Sequence, residues 1–190
     1  YLWPLLIVVF SSFLPGERLK WQHIAGCALA LAGAVLVVTR GEGLALDARY
    51  LGGYLAALIA AVTWAVYSVL SRRVAHVPSE SITGFCLATA GLAALCHVAL
   101  EPTVWPAEFS QWAAIIALGL GPVGLAFFVW DIGVKQGDIQ VLGAASYATP
   151  LLSTGLLILT GYAAYSNMLL AAAALITLGA VLAASELLFR

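Results

Sequence analysis

The sequence predicts an all-α membrane protein, a polytopic helical bundle with about seven apolar spans. Three observations predict it. Of 190 residues, 63% are hydrophobic and 9% charged, against roughly 25% charged in an ordinary soluble domain. The charges are also segregated, because residues 1–14, 22–39, 51–71, 82–100, 111–130, 139–160 and 167–185 hold none. Most of these stretches match the ~20 residues that cross the hydrocarbon core of a bilayer as a helix. Within them Ala, Leu, Gly and Val run unbroken, as in residues 55–70, whereas a barrel strand alternates apolar and polar over about ten residues. The same composition argues against a nucleic-acid binder, a disordered chain, a coiled coil and a secreted disulfide scaffold. The formal net charge of −1 says nothing about partners, since charge here marks loops.

The first stretch, 1–14, lacks a basic leader and runs into Pro-Gly-Glu-Arg-Leu-Lys, so it reads as a short span rather than a signal peptide. Tyr1, Pro4, Val8 and Ser11 form one stripe on it. In the second span Gly26, Ala30 and Gly33 share a face, as Gly84 and Ala88 do in the fourth and Gly179 and Ala183 in the last. Small residues at this spacing let helix backbones approach in lipid, where no hydrophobic force drives association. Cys27, Cys86 and Cys96 all fall inside spans. Cys86 and Cys96 are about 15 Å apart along one helix and cannot bridge. No Cys/His cluster has metal-ligand spacing, so neither metal nor cofactor is expected.

The third span carries Ala57, Trp64, Tyr67, Ser68 and Ser71 on one face. Trp64 lies mid-span, away from the headgroup belt where Trp concentrates. An indole N–H and a phenol O–H at that depth need partners. Interhelix packing would supply them, and so would a cavity holding a planar aromatic ligand. The fifth span contains Gly119, Gly121, Pro122 and Gly124, then Phe127, Phe128 and Trp130. The Gly-Pro-x-Gly run weakens the helix and is a candidate flexing point in gating, whereas the aromatics read equally as gate or belt. Trp105 and Trp112 suit the opposite belt. Asp131, Lys135 and Asp138 are expected to bracket a short loop in structural roles, and His23 and His97 to be interfacial.

In the sixth span Pro150 has no N–H to offer the carbonyl of Ser146. Ser146, Thr149, Pro150 and Ser153 fall on one side of the helix. The expectation is a bent helix whose free carbonyl and hydroxyls receive a polar headgroup, with a plain packing kink as the other reading.

Shifting the sequence on itself by 146 residues places Tyr1 on Tyr147, Pro4-Leu5-Leu6 on Pro150-Leu151-Leu152 and Gly33-Ala34-Val35-Leu36 on Gly179-Ala180-Val181-Leu182, with 11 identities in 44 positions. One period holds five spans, an odd number, so the second copy enters the membrane from the other side. Inverted copies place a substrate site between them near the midplane. The expected organisation is the last two spans of a first repeat in 1–44 and a complete second repeat in 51–190, seven of ten spans in all. A natural seven-span protein is the alternative. Arg18, Lys20, Arg72, Arg73, Lys135 and Arg190 fall on one side, Arg40 and Arg49 on the other. The first side is expected to be cytoplasmic, with the C-terminus inside.

These residues resemble the drug/metabolite transporter superfamily. Residues 51–73 look like the opening helix of its second unit, residues 1–19 like its fourth helix, with Pro near the start and Gly-Glu at the end, and residues 119–159 like its eighth and ninth. Gly161-Tyr162 stands where that family usually has Gly-Glu. The Ser-Tyr-Ala-Thr-Pro-Leu-Leu-Ser-Thr stretch (146–154) is similar to the aromatic amino acid exporter branch. The resemblance implies ten helices in two inverted five-helix units that move small metabolites by alternating access.

The spans as read hold no Asp, Glu, Lys or Arg, which argues against ion coupling through a buried carboxylate and against a phosphorylated substrate. The expected function is an inner-membrane secondary transporter exporting small metabolites, chiefly aromatic amino acids, and not an enzyme. A broad exporter of aromatic cations or drugs is the alternative. An intramembrane enzyme is the alternative of another class, and the hydroxyls have no base beside them. The expected substrate-binding residues are Trp3, Trp64, Tyr67, Ser68, Ser146, Tyr147, Thr149 and Ser153, and the helix-breaking or gating residues Pro4, Pro150, Gly121 and Pro122. The expected partners are a small-molecule substrate and the lipid bilayer.

Overall fold

A computed structural model describes residues 1–39, 42, 47–162 and 164–185. Arg40 and Arg190, which entered the charge comparison, lie outside the described residues. The chain is a multi-pass membrane protein. Its described residues form helices α1 (Trp3–Ser11), α2 (Trp21–Thr39), α3 (Leu51–Arg73), α4 (Ile82–Leu100), α5 (Phe109–Leu120), α6 (Ala126–Gln136), α7 (Ile139–Ala145), α8 (Ala148–Leu159) and α9 (Asn167–Ala183). Five helical segments are long and apolar enough to cross a bilayer: Trp21–Thr39, Ala48–Arg73, Ser79–Leu100, Phe109–Gln136 and Ile139–Leu159. Leu87, Leu92, Leu95 and Val98 of α4 and Ile115, Ile116 and Leu118 of α5 are exposed, an apolar surface of the kind that membrane-spanning helices carry.

The small-residue faces of the second and last spans meet. A Cβ on Gly26 would lie 2.5 Å from the Gly179 carbonyl oxygen and 2.9 Å from the Ala183 Cβ, and one on Gly33 would lie 2.8 Å from the Ala172 carbonyl oxygen. Contacts rise along α2 as they fall along α9, so the two helices are antiparallel. The 146-residue shift interchanges the pairs Gly26–Gly179 and Gly33–Ala172. Around this seam Val8, Cys27, Ala30, Ala34, Ala144, Tyr147, Ile176 and Ala183 form one core. A second core joins Ile7, Leu14, Ala65, Val69, Val134 and Ile139, fastening α1 to α3, α6 and α7.

The fifth span runs through its Gly-Pro-x-Gly segment as a π-helical turn, Gly121–Leu125, between α5 and α6. Pro122 removes the N–H that would have met the Leu118 carbonyl, and the chain absorbs the mismatch by widening one turn. Such single π turns are rare and concentrate at functional sites. Gly124 is required there, because a Cβ would sit 2.5 Å from the Gly119 carbonyl oxygen. Gly124→Ala is therefore expected to lower the melting temperature in detergent, by an overpacking cost of about 1–3 kcal/mol. Gly91→Ala, where nothing lies within 4 Å, is expected to leave it unchanged or raise it slightly. Equal melting of the two variants would remove the widened turn.

The sixth span differs from its expectation in a specific way. It is two helices, α7 and α8, with a turn at Ser146 and Tyr147. The Ser146 carbonyl is not free, because it accepts the Thr149 N–H at 3.1 Å. A tighter three-residue bond replaces the one that Pro150 cannot make. Pro150 is buried while Thr149 and Ser153 are exposed, so the proline and the hydroxyls do not share one environment.

Three of the loops are joined by side-chain bonds. Arg72 donates to the Val134 carbonyl at 2.9 Å and pairs with Glu17 at 3.1 Å. Arg73 donates to the Phe13 carbonyl at 2.6 Å, and Lys135 to the Val77 carbonyl at 2.9 Å. The three connections after α1, α3 and α6 therefore lie at one end of the bundle.

Candidate functional site

Five aromatic rings from three helices converge beside α4. Trp64 and Tyr67 are three residues apart on α3, and Phe127 and Trp130 three apart on α6, so each pair faces one way. Trp3 enters from the start of α1. The Trp64 ring centroid lies 5.3 Å from Tyr67, 5.5 Å from Phe127, 5.7 Å from Trp130 and 6.4 Å from Trp3. Trp3 and Trp130 meet edge to face at 5.4 Å. Offset and edge-to-face arrangements at these separations are the attractive ones. The Trp130 indole N–H donates to the Ser68 hydroxyl at 3.0 Å, which donates in turn to the Trp64 carbonyl at 2.9 Å. This chain fixes the α6 ring against α3 and satisfies both polar groups at depth.

In front of the rings is a cavity of about 520 Å³ whose wall includes Trp64, Tyr67 and Phe127 on one side and Phe85, Cys86 and Thr89 of α4 on the other. The size falls within the ~300–1,000 Å³ of small-molecule sites. The lining is chiefly apolar and aromatic, with the Tyr67 and Thr89 hydroxyls as polar points. The hollow exists because α4 stands off. Only Ile82 of its residues is buried, and α4 meets the rest of the described chain chiefly through the turn at Ser79–Ser81.

The structure thus brings together Trp3, Trp64, Tyr67 and Ser68 of the expected residues. Ser68 is buried behind the rings, and Trp3 packs on them without lining this cavity. Tyr147 is fully buried in the core between α1, α2 and α9, away from the cavity. Ser146 turns its hydroxyl back to the Leu142 carbonyl at 2.7 Å. Pro4 is buried in the first turn of α1. Gly121 lines a separate hollow of about 380 Å³ with Trp130 and Leu142, and Pro122 is exposed.

Sequence reasoning left Phe127 and Trp130 unassigned and missed the α4 wall altogether. Ile82, Phe85, Cys86, Thr89 and Ala93 recur at helical spacing, and Thr89, a polar residue deep in an apolar span, was the available signal. Sequence reasoning also misplaced Asp131. The residue sits inside α6, not in a loop, and is buried. Its Oδ2 meets Lys135 Nζ at 2.6 Å, with side-chain exposures of 2% for Asp131 and 7% for Lys135. A buried carboxylate is therefore present, neutralised by the cation one turn on.

A model of the EamA-like transporter family matches residues 51–185, and the chain belongs to that family. It is similar to the aromatic amino acid exporter YddG of Ancylobacter novellus, 57% identical over 184 residues, covering 96% of this chain and 64% of that protein. The protein of the same name from Salmonella typhimurium is 30% identical over 82% of this chain and 55% of its own length. A solved crystal structure superposes on the whole chain with a TM-score of 0.92 at 56% identity, with 65% of its own chain covered. The chain thus spans less than two thirds of the length of these relatives.

Proposed function

We propose that this chain is part of a secondary transporter that exports small metabolites, aromatic amino acids foremost, across the inner membrane by alternating access. The observation that carries this reading is the aromatic-walled cavity. A planar ring of amino-acid size stacks on Trp64 and Phe127 without needing a fixed hydrogen-bond pattern. The Tyr67 and Thr89 hydroxyls receive its polar end. Trp3 and Ser68 hold the Trp64 and Trp130 rings in place. Thr149 and Ser153 present their hydroxyls on the exposed side of the broken helix, Ser146 and Tyr147 act from its turn and core, and Pro150 sets the break. Gly121 and Pro122 mark the weak point of the fifth span, and Pro4 opens the first turn of α1. The names of the exporters that this chain is similar to support the same substrate class.

The antiparallel α2–α9 seam, with its interchangeable glycine contacts, supports two inverted repeats divided between 1–44 and 51–190. The end bearing Arg72, Arg73 and Lys135 is taken as cytoplasmic, and alternation of spans puts the C-terminus there too. Asp131 is a buried carboxylate inside a span, so the release assay with and without a pH gradient decides between exchange or passive export and coupled export.

The test uses the intact protein in liposomes loaded with Trp or Phe. Release is expected to exceed that of Ala or Gly by about tenfold, the factor that ~1.4 kcal/mol of stacking contributes. Similar rates for Ala and Gly would remove the aromatic assignment, and faster release of aromatic cations would favour the broad exporter.

A further inference from the structure

We propose that Asp131, Lys135, Ser79 and the Val77 carbonyl form an ionic latch that holds one end of the cavity shut and opens in each transport cycle. This rests on the transport reading above. Four observations lead to it.

First, the ion pair faces outward from its own helix. Asp131 and Lys135 are four residues apart on α6 and meet at 2.6 Å, and each also makes a bond to the α3–α4 connection. Asp131 Oδ2 accepts the Ser79 hydroxyl at 2.5 Å, and Lys135 Nζ donates to the Val77 carbonyl at 2.9 Å. Both bonds end on the segment that carries α4, the standing-off wall of the cavity. Releasing them frees the foot of α4.

Second, the cross-links concentrate at this end. Arg72 joins α3 to Glu17 and to the Val134 and Gly137 carbonyls, and Arg73 joins it to Phe13. At the opposite end the side-chain bonds of the described residues are local: Asp47 with Arg49, His97 with Glu101 and Thr103, Glu108 with Ser110. Among the described residues, one mouth is stitched across helices and the other holds only local bonds.

Third, the latch adjoins the cavity wall. On α6 Asp131 follows Trp130, whose ring packs on Trp64 at 5.7 Å, and Trp64 and Tyr67 line the cavity. A ligand that shifts these rings moves the turn of α6 that carries the carboxylate.

Fourth, a buried ion pair is a poor device for stability, because desolvation offsets most of its attraction and an apolar pair serves as well. It does suit a joint that must part and re-form at one register.

The test reads accessibility rather than flux, so its failure is separate from failure of the transport assay. In the intact protein every cysteine other than Cys86, with Cys27 and Cys96 among them, is replaced by Ala, which leaves Cys86, a free thiol on the cavity wall. Vesicles of one orientation receive a membrane-impermeant maleimide from the Arg72 side or from the other. With Asp131→Asn and Lys135→Met together, labelling from the Arg72 side is expected to rise about tenfold and labelling from the other side to fall, as a shift between two states requires. The exchanged pair Asp131→Lys with Lys135→Asp, which restores the ion pair but sets a carboxylate against the Val77 carbonyl where Lys135 donates, is expected to leave the ratio shifted. Ser79→Ala, which leaves the ion pair intact, is expected to shift the ratio the same way by a smaller factor. An unchanged ratio in the double variant and in Ser79→Ala, or an equal rise from both sides, would overturn the latch.

Discussion

Gly26→Leu is expected to abolish recovery of folded, monodisperse protein, and Gly26→Ala to lower its melting temperature measurably. The added Cβ would meet the Gly179 carbonyl at 2.5 Å, the Ala183 nitrogen at 2.7 Å and the Ala183 Cβ at 2.9 Å. Two of these are backbone atoms, which cannot rotate aside, so the helices must separate along the seam. In lipid the lost dispersion contacts are not offset by any hydrophobic drive to re-associate. Overpacking of this kind costs about 1–3 kcal/mol for small insertions, and a leucine adds three further carbons. Alanine is the better helix former by about 1 kcal/mol in a helix interior, so a loss with alanine points to the contact and not to propensity. Gly52→Ala, with nothing within 4 Å, is the matched control and is expected to hold or gain stability. Melting curves that coincide for Gly26→Ala and Gly52→Ala would mean that α2 and α9 do not approach this closely.

Trp64→Ala is expected to reduce the flux of Trp and Phe by about tenfold or more, while the amount of folded protein changes far less. Trp64 is the hub of the ring cluster, in contact with Trp3, Tyr67, Phe127 and Trp130, and it also lines the cavity. Truncating it removes a stacking surface, worth about 0.5–1.5 kcal/mol per aromatic pair beyond burial, and also loosens the rings that remain. Because the second effect is structural, Trp64→Phe is the necessary companion. Phe retains a π face and most of the packing, so it is expected to keep more than half the flux. Equal flux in wild type and Trp64→Ala would take Trp64 out of the substrate path. Equal losses with Ala and Phe, at normal folding, would assign the role to the indole N–H instead of the ring.

The apolar spans, their approximate limits and their helical nature were legible in the sequence, because a bilayer imposes length and apolarity on every crossing segment independently of its neighbours. Gly26, Gly33 and Gly179 were legible as contact faces, since small residues at helical spacing permit close approach, but the same pattern at Gly84 and Ala88 of α4 has no partner among the described residues, with nothing within 4 Å of Gly84. The partner itself was not legible, since nothing along the chain says that α2 meets α9 rather than α3. Trp64 and Tyr67 could be singled out by depth and face. Phe127, Trp130, Phe85 and Thr89 could not be joined to them, because ring contacts between helices depend on crossing geometry that no periodicity encodes. Pro150 announced a break, but whether its freed carbonyl stayed free depended on local backbone adjustment, and the Thr149 N–H reached Ser146.

Asp131 marks the boundary between the two kinds of information. A charge next to an apolar run reads as the start of a loop, because an isolated ion at that depth is too costly to bury. By itself, the sequence determined a family of lipid-embedded helices with weak points at Pro122 and Pro150. Only the tertiary structure decided that α6 continues past Trp130 and that Asp131 is buried. Lys135 one turn along and Ser79 from another connection cancel the cost there, and that cancellation exists only once three segments have come together.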